Sequence, residues 1–112
     1  MNYENFKAVF PKDLEDALIL KGFNVESVDV TKMEKLGKGM YDAISVRLKN
    51  SLVGPSGSLS TIYAAYENGE SYDDVLKHTV DKFSEAIQKK PDYDVISSPI
   101  MISSRISWQL KL

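Results

Sequence analysis

One imidazole, His78, is the only side chain of the ordinary set that would exchange a proton near neutral pH, and the 112 residues contain no cysteine. Serine chemistry needs an activating base within hydrogen-bond reach, so any such chemistry would have to be built on His78. The segment Gly54-Pro55-Ser56-Gly57-Ser58 is superficially like a nucleophile elbow. That motif requires glycine two residues after the serine, and Ser58 stands there. His78 falls on the polar side of a strongly patterned helix, one turn after Asp74, where a solvated imidazole loosely paired with a carboxylate accounts for it.

Metal and phosphate chemistry are equally poorly supplied. Zinc prefers several Cys or His ligands, and one His is present. Glu67, Glu70, Asp73 and Asp74 cluster in sequence but lack the loop spacing and central glycine of a calcium loop. Their places around a helix start suit the positive end of the helix dipole instead. No Gly-x-x-x-x-Gly-Lys-Ser/Thr run occurs, and Gly37-Lys38-Gly39 reads as a hairpin turn. We therefore expect no enzyme, no metal and no cofactor.

Two groups of residues point to binding. Tyr63, Tyr66 and Tyr72 crowd one helix-turn-helix among Glu67, Glu70, Asp73 and Asp74. Aromatic rings beside carboxylates are common in protein-binding surfaces, and equally common at the half-buried margin of a core. Lys32, Lys35, Lys38, Arg47 and Lys49 would form a weak basic strip if they shared the wet face of a hairpin, which is the alternative, nucleic-acid reading. Such charges also serve to keep sheet edges unsociable.

The elements that must position these groups follow from periodicity. Tyr3, Phe6, Phe10, Leu14, Ala17 and Leu18 lie on one helical face that ends at Gly22. Pro11 should kink that helix or divide it in two. Phe23, Val25, Val28 and Val30 alternate with a phase shift at Glu26-Ser27, predicting a strand with a bulge. Ile44, Val46 and Leu48 alternate with Ser45, Arg47 and Lys49, predicting its antiparallel partner. Ser51 to Ser60, rich in Gly, Pro and Ser, reads as a loop. A short helix over Thr61 to Tyr66 should stop at Asn68-Gly69.

Tyr72, Val75, Leu76, Thr79, Val80, Phe83, Ala86 and Ile87 follow the helical period closely, with Ser71 and Asp74 as an N-terminal cap and Pro91 as the stop. Ile102, Ile106, Trp108, Leu110 and Leu112 predict a C-terminal strand paired with the hairpin, and Val95 to Met101 would add at best an edge strand because of Pro99. The fold class is therefore α+β: an antiparallel sheet of the hairpin plus the C-terminal strand, packed against N-terminal and central amphipathic helices, as one domain over 1–112.

Fourteen basic against sixteen acidic residues leave a formal charge of −2, too small for a general pull toward nucleic acid or anionic lipid. The absence of cysteine suits a reducing compartment, and neither a signal peptide nor a membrane span is expected, so the cytoplasm is the default location. An unpaired edge strand near the C-terminus would leave a homodimer open.

Thr61-Ile62-Tyr63, Tyr66-Glu67-Asn68-Gly69-Glu70-Ser71 and Asp73-Asp74-Val75-Leu76 together resemble the signature of an uncharacterised bacterial domain-of-unknown-function family found in gut bacteria and their phages and mobile elements. Met1, Tyr3 and Phe6, with Asp42-Ala43-Ile44-Ser45-Val46, sit where that family has similar residues. The resemblance covers half to two-thirds of the chain and implies a small accessory protein that occupies a surface of a partner protein. A host-defence inhibitor of anti-CRISPR type, aimed at a nuclease, is the alternative that the resemblance also implies. If Trp108 is buried in the core, Trp108→Ala lowers stability by about 3–5 kcal/mol, measured by denaturant titration.

Overall fold

The structure, a computed structural model, describes residues 1–49, 51, 53–89 and 106–109, with Val53 and 106–109 described by backbone alone. The expected helix stop at Pro91, the edge strand from Val95 to Met101 and the burial of Trp108 lie outside the described residues.

Helix α1 spans Tyr3–Leu20. Asn2 caps it by accepting the Asn5 N–H at 2.8 Å, satisfying one of the donors that a helix start leaves without a partner. Phe6, Phe10, Leu14 and Leu18, four residues apart, are all fully buried. The helix runs through Pro11 as one element instead of dividing there. A proline inside a helix costs about 3 kcal/mol, whereas burying each large apolar side chain returns about 1.5–3 kcal/mol. Four such anchors, two on each side of Pro11, hold the turns together. At the other end the Phe23 N–H reaches the Leu18 carbonyl and the Gly22 N–H that of Ile19, closing the helix with Gly22 at φ 96°.

Strand β1, Val25–Lys35, and strand β2, Gly39–Leu48, form the predicted antiparallel hairpin. Their register slips between Val25 and Ser27, where the sequence pattern changes phase. Beyond that point pairing is one to one: Val28 with Val46, Val30 with Ile44, Lys32 with Asp42, Glu34 with Met40. Because side chains alternate, these residues share the face turned to the helices. Asp29, Thr31, Met33 and Lys35, with Tyr41, Ala43, Ser45 and Arg47, take the opposite face.

The expected loop from Ser51 to Ser60 contains instead a third strand, β3, Val53–Ser58, antiparallel to β2. It carries almost no side-chain pattern because its task is close approach. A Cβ on Gly54 would lie 1.9 Å from the Val46 carbonyl oxygen, deep inside contact distance. Pro55, which has no N–H to donate, falls just past the last regular pair, Ser45 with Ser56.

Ser58 then caps helix α2, Leu59–Glu67, by accepting from the Thr61 N–H at 3.3 Å. Helix α3 spans Tyr72–Lys89, capped by Ser71, which accepts the Asp74 N–H at 3.1 Å. Its Val75, Val80, Phe83 and Ile87 meet the α1 stripe, Leu59 and Ile62 of α2, and Val25, Val28, Ile44 and Val46 of the sheet in one core.

The fold is thus α+β, with β1, β2 and β3 antiparallel against three helices. The C-terminal strand β4, Ile106–Gln109, does join the sheet, but beside β3 and parallel to it instead of beside the hairpin, giving the order β1-β2-β3-β4. Parallel neighbours need a long crossover connection, and α2 and α3 lie between β3 and β4 in the chain. Gly54→Ala should cost about 1–3 kcal/mol or more by forcing β2 and β3 apart, read as a lowered denaturation midpoint.

Candidate functional site

The most unusual group in the described residues is Asp42. It lies in phase with Ile44 and Val46 on the helix-facing side of β2 and is 6% exposed. Tyr3 of α1 donates its hydroxyl to Oδ2 at 2.5 Å. Lys32, directly across the hairpin, brings Nζ to 2.9 Å from Oδ1, and Lys7 lies 3.5 Å from Oδ2. The Tyr3 hydrogen bond, followed by Lys32, holds the Asp42 carboxyl down at about 2, against the opposing effect of desolvation. Burial and the same hydrogen bond push the Tyr3 phenol above its ordinary value. A carboxylate this stable as an anion is a poor proton donor or base near neutral pH. Its role is to tie the start of α1 to the hairpin. Sequence reasoning had not singled out this residue as a site, although a carboxylate on the apolar parity of a strand is the signal that finds it.

The tyrosines predicted as a contact surface gather around Phe6 and Phe10. Tyr63, Tyr66 and Tyr72 have ring centroids 5.1, 5.9 and 5.9 Å from Phe6, and Tyr3 lies 5.2 Å from Tyr63. Each is half-buried. Their hydroxyls are engaged inside the chain: Tyr63 donates to the Met1 carbonyl at 3.1 Å, Tyr72 donates to Asp13 at 2.5 Å, and the Met1 nitrogen lies 3.0 Å from the Tyr66 oxygen. Burial, then the Asp13 hydrogen bond, raises the Tyr72 phenol. Glu67, Glu70, Asp73 and Asp74 are exposed beside this cluster, with Asp73 and Asp74 in the first turn of α3.

The basic residues are divided. Lys32 shares the helix-facing side with Asp42, whereas Lys35 and Arg47 belong to the opposite face, with Arg47 3.8 Å from Glu26. Lys38 sits in the turn and Lys49 follows the end of β2. The five do not form one strip.

His78 is exposed on α3 and lines an open groove of about 410 Å³ with Thr61, Asn68 and Glu70. The groove does not include Ser56, which is fully buried in β3. Among the described residues no three His, Asp or Glu side chains converge as a metal site, and no helix is long and apolar enough to cross a membrane.

What remains uncovered is the far half of the hairpin. The core takes hairpin side chains only as far as Val30 and Ile44. Beyond them, β1 and β2 continue as an arm whose strands reach roughly 10 Å past Asp42 at the rise of an extended strand, to the turn at 36–38. Leu36 at its turn is 97% exposed and Met40 60% exposed. Comparison with protein-family models, curated proteins and solved structures finds no match to this chain. The geometry therefore bears on function by itself.

Asp42 has a folded-state pKa below its unfolded one, so its contribution is full above about pH 4 and lost as pH falls toward about 2. Lys32 and Lys7 stand partly in water, which screens the interaction. We expect a loss of about 1–2 kcal/mol over that window by denaturant titration. In Tyr3→Phe, which removes the largest cause of the shift, the acid-dependent loss should shrink.

Proposed function

We propose that this protein is a non-catalytic binding module that acts by occupying a surface of another protein, with the β1–β2 arm as its docking element. The observation that carries this reading is the exposure of Leu36 and Met40 on a two-stranded ribbon that the core does not cover. An isolated ribbon is marginally stable in water, and exposed apolar side chains at its tip add solvation cost. A partner that covers them removes both penalties. Lys32, Lys35 and Lys38 stand with Glu34 and Asp42 along the arm, so a partner that meets it needs charges of both signs around an apolar centre.

The exposed carboxylates Glu67, Glu70, Asp73 and Asp74 supply a second contact region, where the tyrosines contribute ring edges while their hydroxyls hold the fold. Direct nucleic-acid binding finds less support, because the two faces of the hairpin separate the basic residues that it would need. In the setting that the family resemblance suggests, an element-borne protein in the cytoplasm, the same occupation could be directed at a host-defence nuclease. A plasmid-interference assay with and without the gene tests that narrower version.

The decisive comparison is capture of bacterial proteins by immobilised wild type and by Leu36→Glu/Met40→Glu, both verified as folded by circular dichroism. Ligands held by the arm should fall at least tenfold in the double variant. Equal retention by both would sink the arm as the docking element. In Tyr66→Ala/Asp73→Lys, a loss of binding would shift the contact to the helical corner.

A further inference from the structure

Strand β1 stands first in the order β1-β2-β3-β4, so one of its sides has no strand beside it among the described residues. Along an antiparallel strand, successive residues turn their N–H and C=O groups alternately toward and away from the neighbour. Val28 sets the phase, because its N–H points away from β2 to Glu15 Oε1 at 3.1 Å. Pairing with β2 then continues without a slip from Ser27 to Lys35. Val30, Lys32 and Glu34 accordingly turn their backbone groups to the open edge. Glu15 closes that edge at Val28, and among the described residues no strand covers the stretch beyond it.

We propose that a second copy of this chain occupies the open edge, its β1 running antiparallel about a two-fold axis at Met33. The inference rests on the reading of the arm as a docking element and names its partner. In this register Lys32 of each copy faces Glu34 of the other, so two opposite-charge cross-strand pairs form with the backbone hydrogen bonds. Thr31 faces Lys35, and Lys35 lies diagonal to the exposed Asp29 of the second copy, within reach of a long side chain. The exposed Leu36 of each turn comes beside Val30 of the other copy, which covers apolar surface on both.

Neighbouring registers lack this fit. An axis at Lys32 sets two ammonium groups against each other. An axis at Thr31 opposes Glu34 with Val28, whose N–H already belongs to Glu15. The Met33 axis uses the free stretch of edge and leaves the Glu15 contact intact.

Sedimentation over a range of concentrations should show a monomer–dimer equilibrium for the wild type. Glu34→Lys and Lys32→Glu should each be monomeric, since each opposes like charges across the axis, while their equimolar mixture should recover the dimer. Lys32→Glu also disturbs Asp42, so its folding is checked by circular dichroism; if it does not fold, Glu34→Lys and a cross-linking arm decide. The chain has no cysteine, so Met33→Cys supplies a single thiol. A non-hydrogen-bonded antiparallel pair has Cα atoms about 4.5 Å apart, inside the range that a disulfide spans. Mild oxidation should give a disulfide dimer from Met33→Cys and much less from Thr31→Cys.

A wild type that stays monomeric at high concentration, a Glu34→Lys variant as dimeric as wild type, or preferential cross-linking at Thr31→Cys would overturn the proposal. A monomer whose Leu36→Glu/Met40→Glu variant still loses a foreign ligand would remove the dimer alone and leave the arm as a docking element.

Discussion

The packing of α1 across the sheet is the interaction on which the remaining contacts depend. Phe6, Phe10, Leu14 and Leu18 form an unbroken buried line, and α3 and the base of the hairpin meet along it. Polar ties of one chemical kind fix the helix at two places. Tyr3 donates to Asp42 of β2, while Asp13 accepts from Tyr72 of α3. Apolar burial is nondirectional and tolerates rotation or sliding of a helix, whereas a phenol bonded to a carboxylate does not. The two kinds of contact divide the work between cohesion and alignment.

The same division runs through the aromatic cluster. A tyrosine at a contact surface offers its ring and its hydroxyl together. Here the hydroxyls of Tyr63 and Tyr72 are bonded to Met1 and Asp13 of the same chain, and the rings pack edge-on against Phe6. The arm has the opposite character. Its apolar side chains are outside the core, and its charges lie along an edge that a further strand can meet.

Much of the architecture could be read from the sequence wherever a pattern repeats. The period of α3, the alternation in β2 and the phase change at Glu26-Ser27 each correspond to an observed element. The places where sequence reasoning erred share a cause. Val53–Ser58 has small residues because another backbone passes close by, and small residues in a row also look like a turn. Pro11 reads as a breaker only while the packing on both sides of it is unknown. Lys32 and Arg47 look like neighbours in charge, yet strand parity places them on opposite sides of the sheet. Asp42 stands at an apolar parity of β2, a signal the sequence reading passed over, and its three partners come from two elements that only the folded chain brings together.

The parallel union of β3 with β4 has a consequence for the order of assembly. Hairpin and helix contacts join segments near in sequence, whereas Val53 waits for Ile106. During synthesis, one side of β3 stays bare until those later residues have left the ribosome. A run of glycine, proline and serine offers few side chains for a stray strand to grip, so the composition that disguises β3 also guards it while it waits.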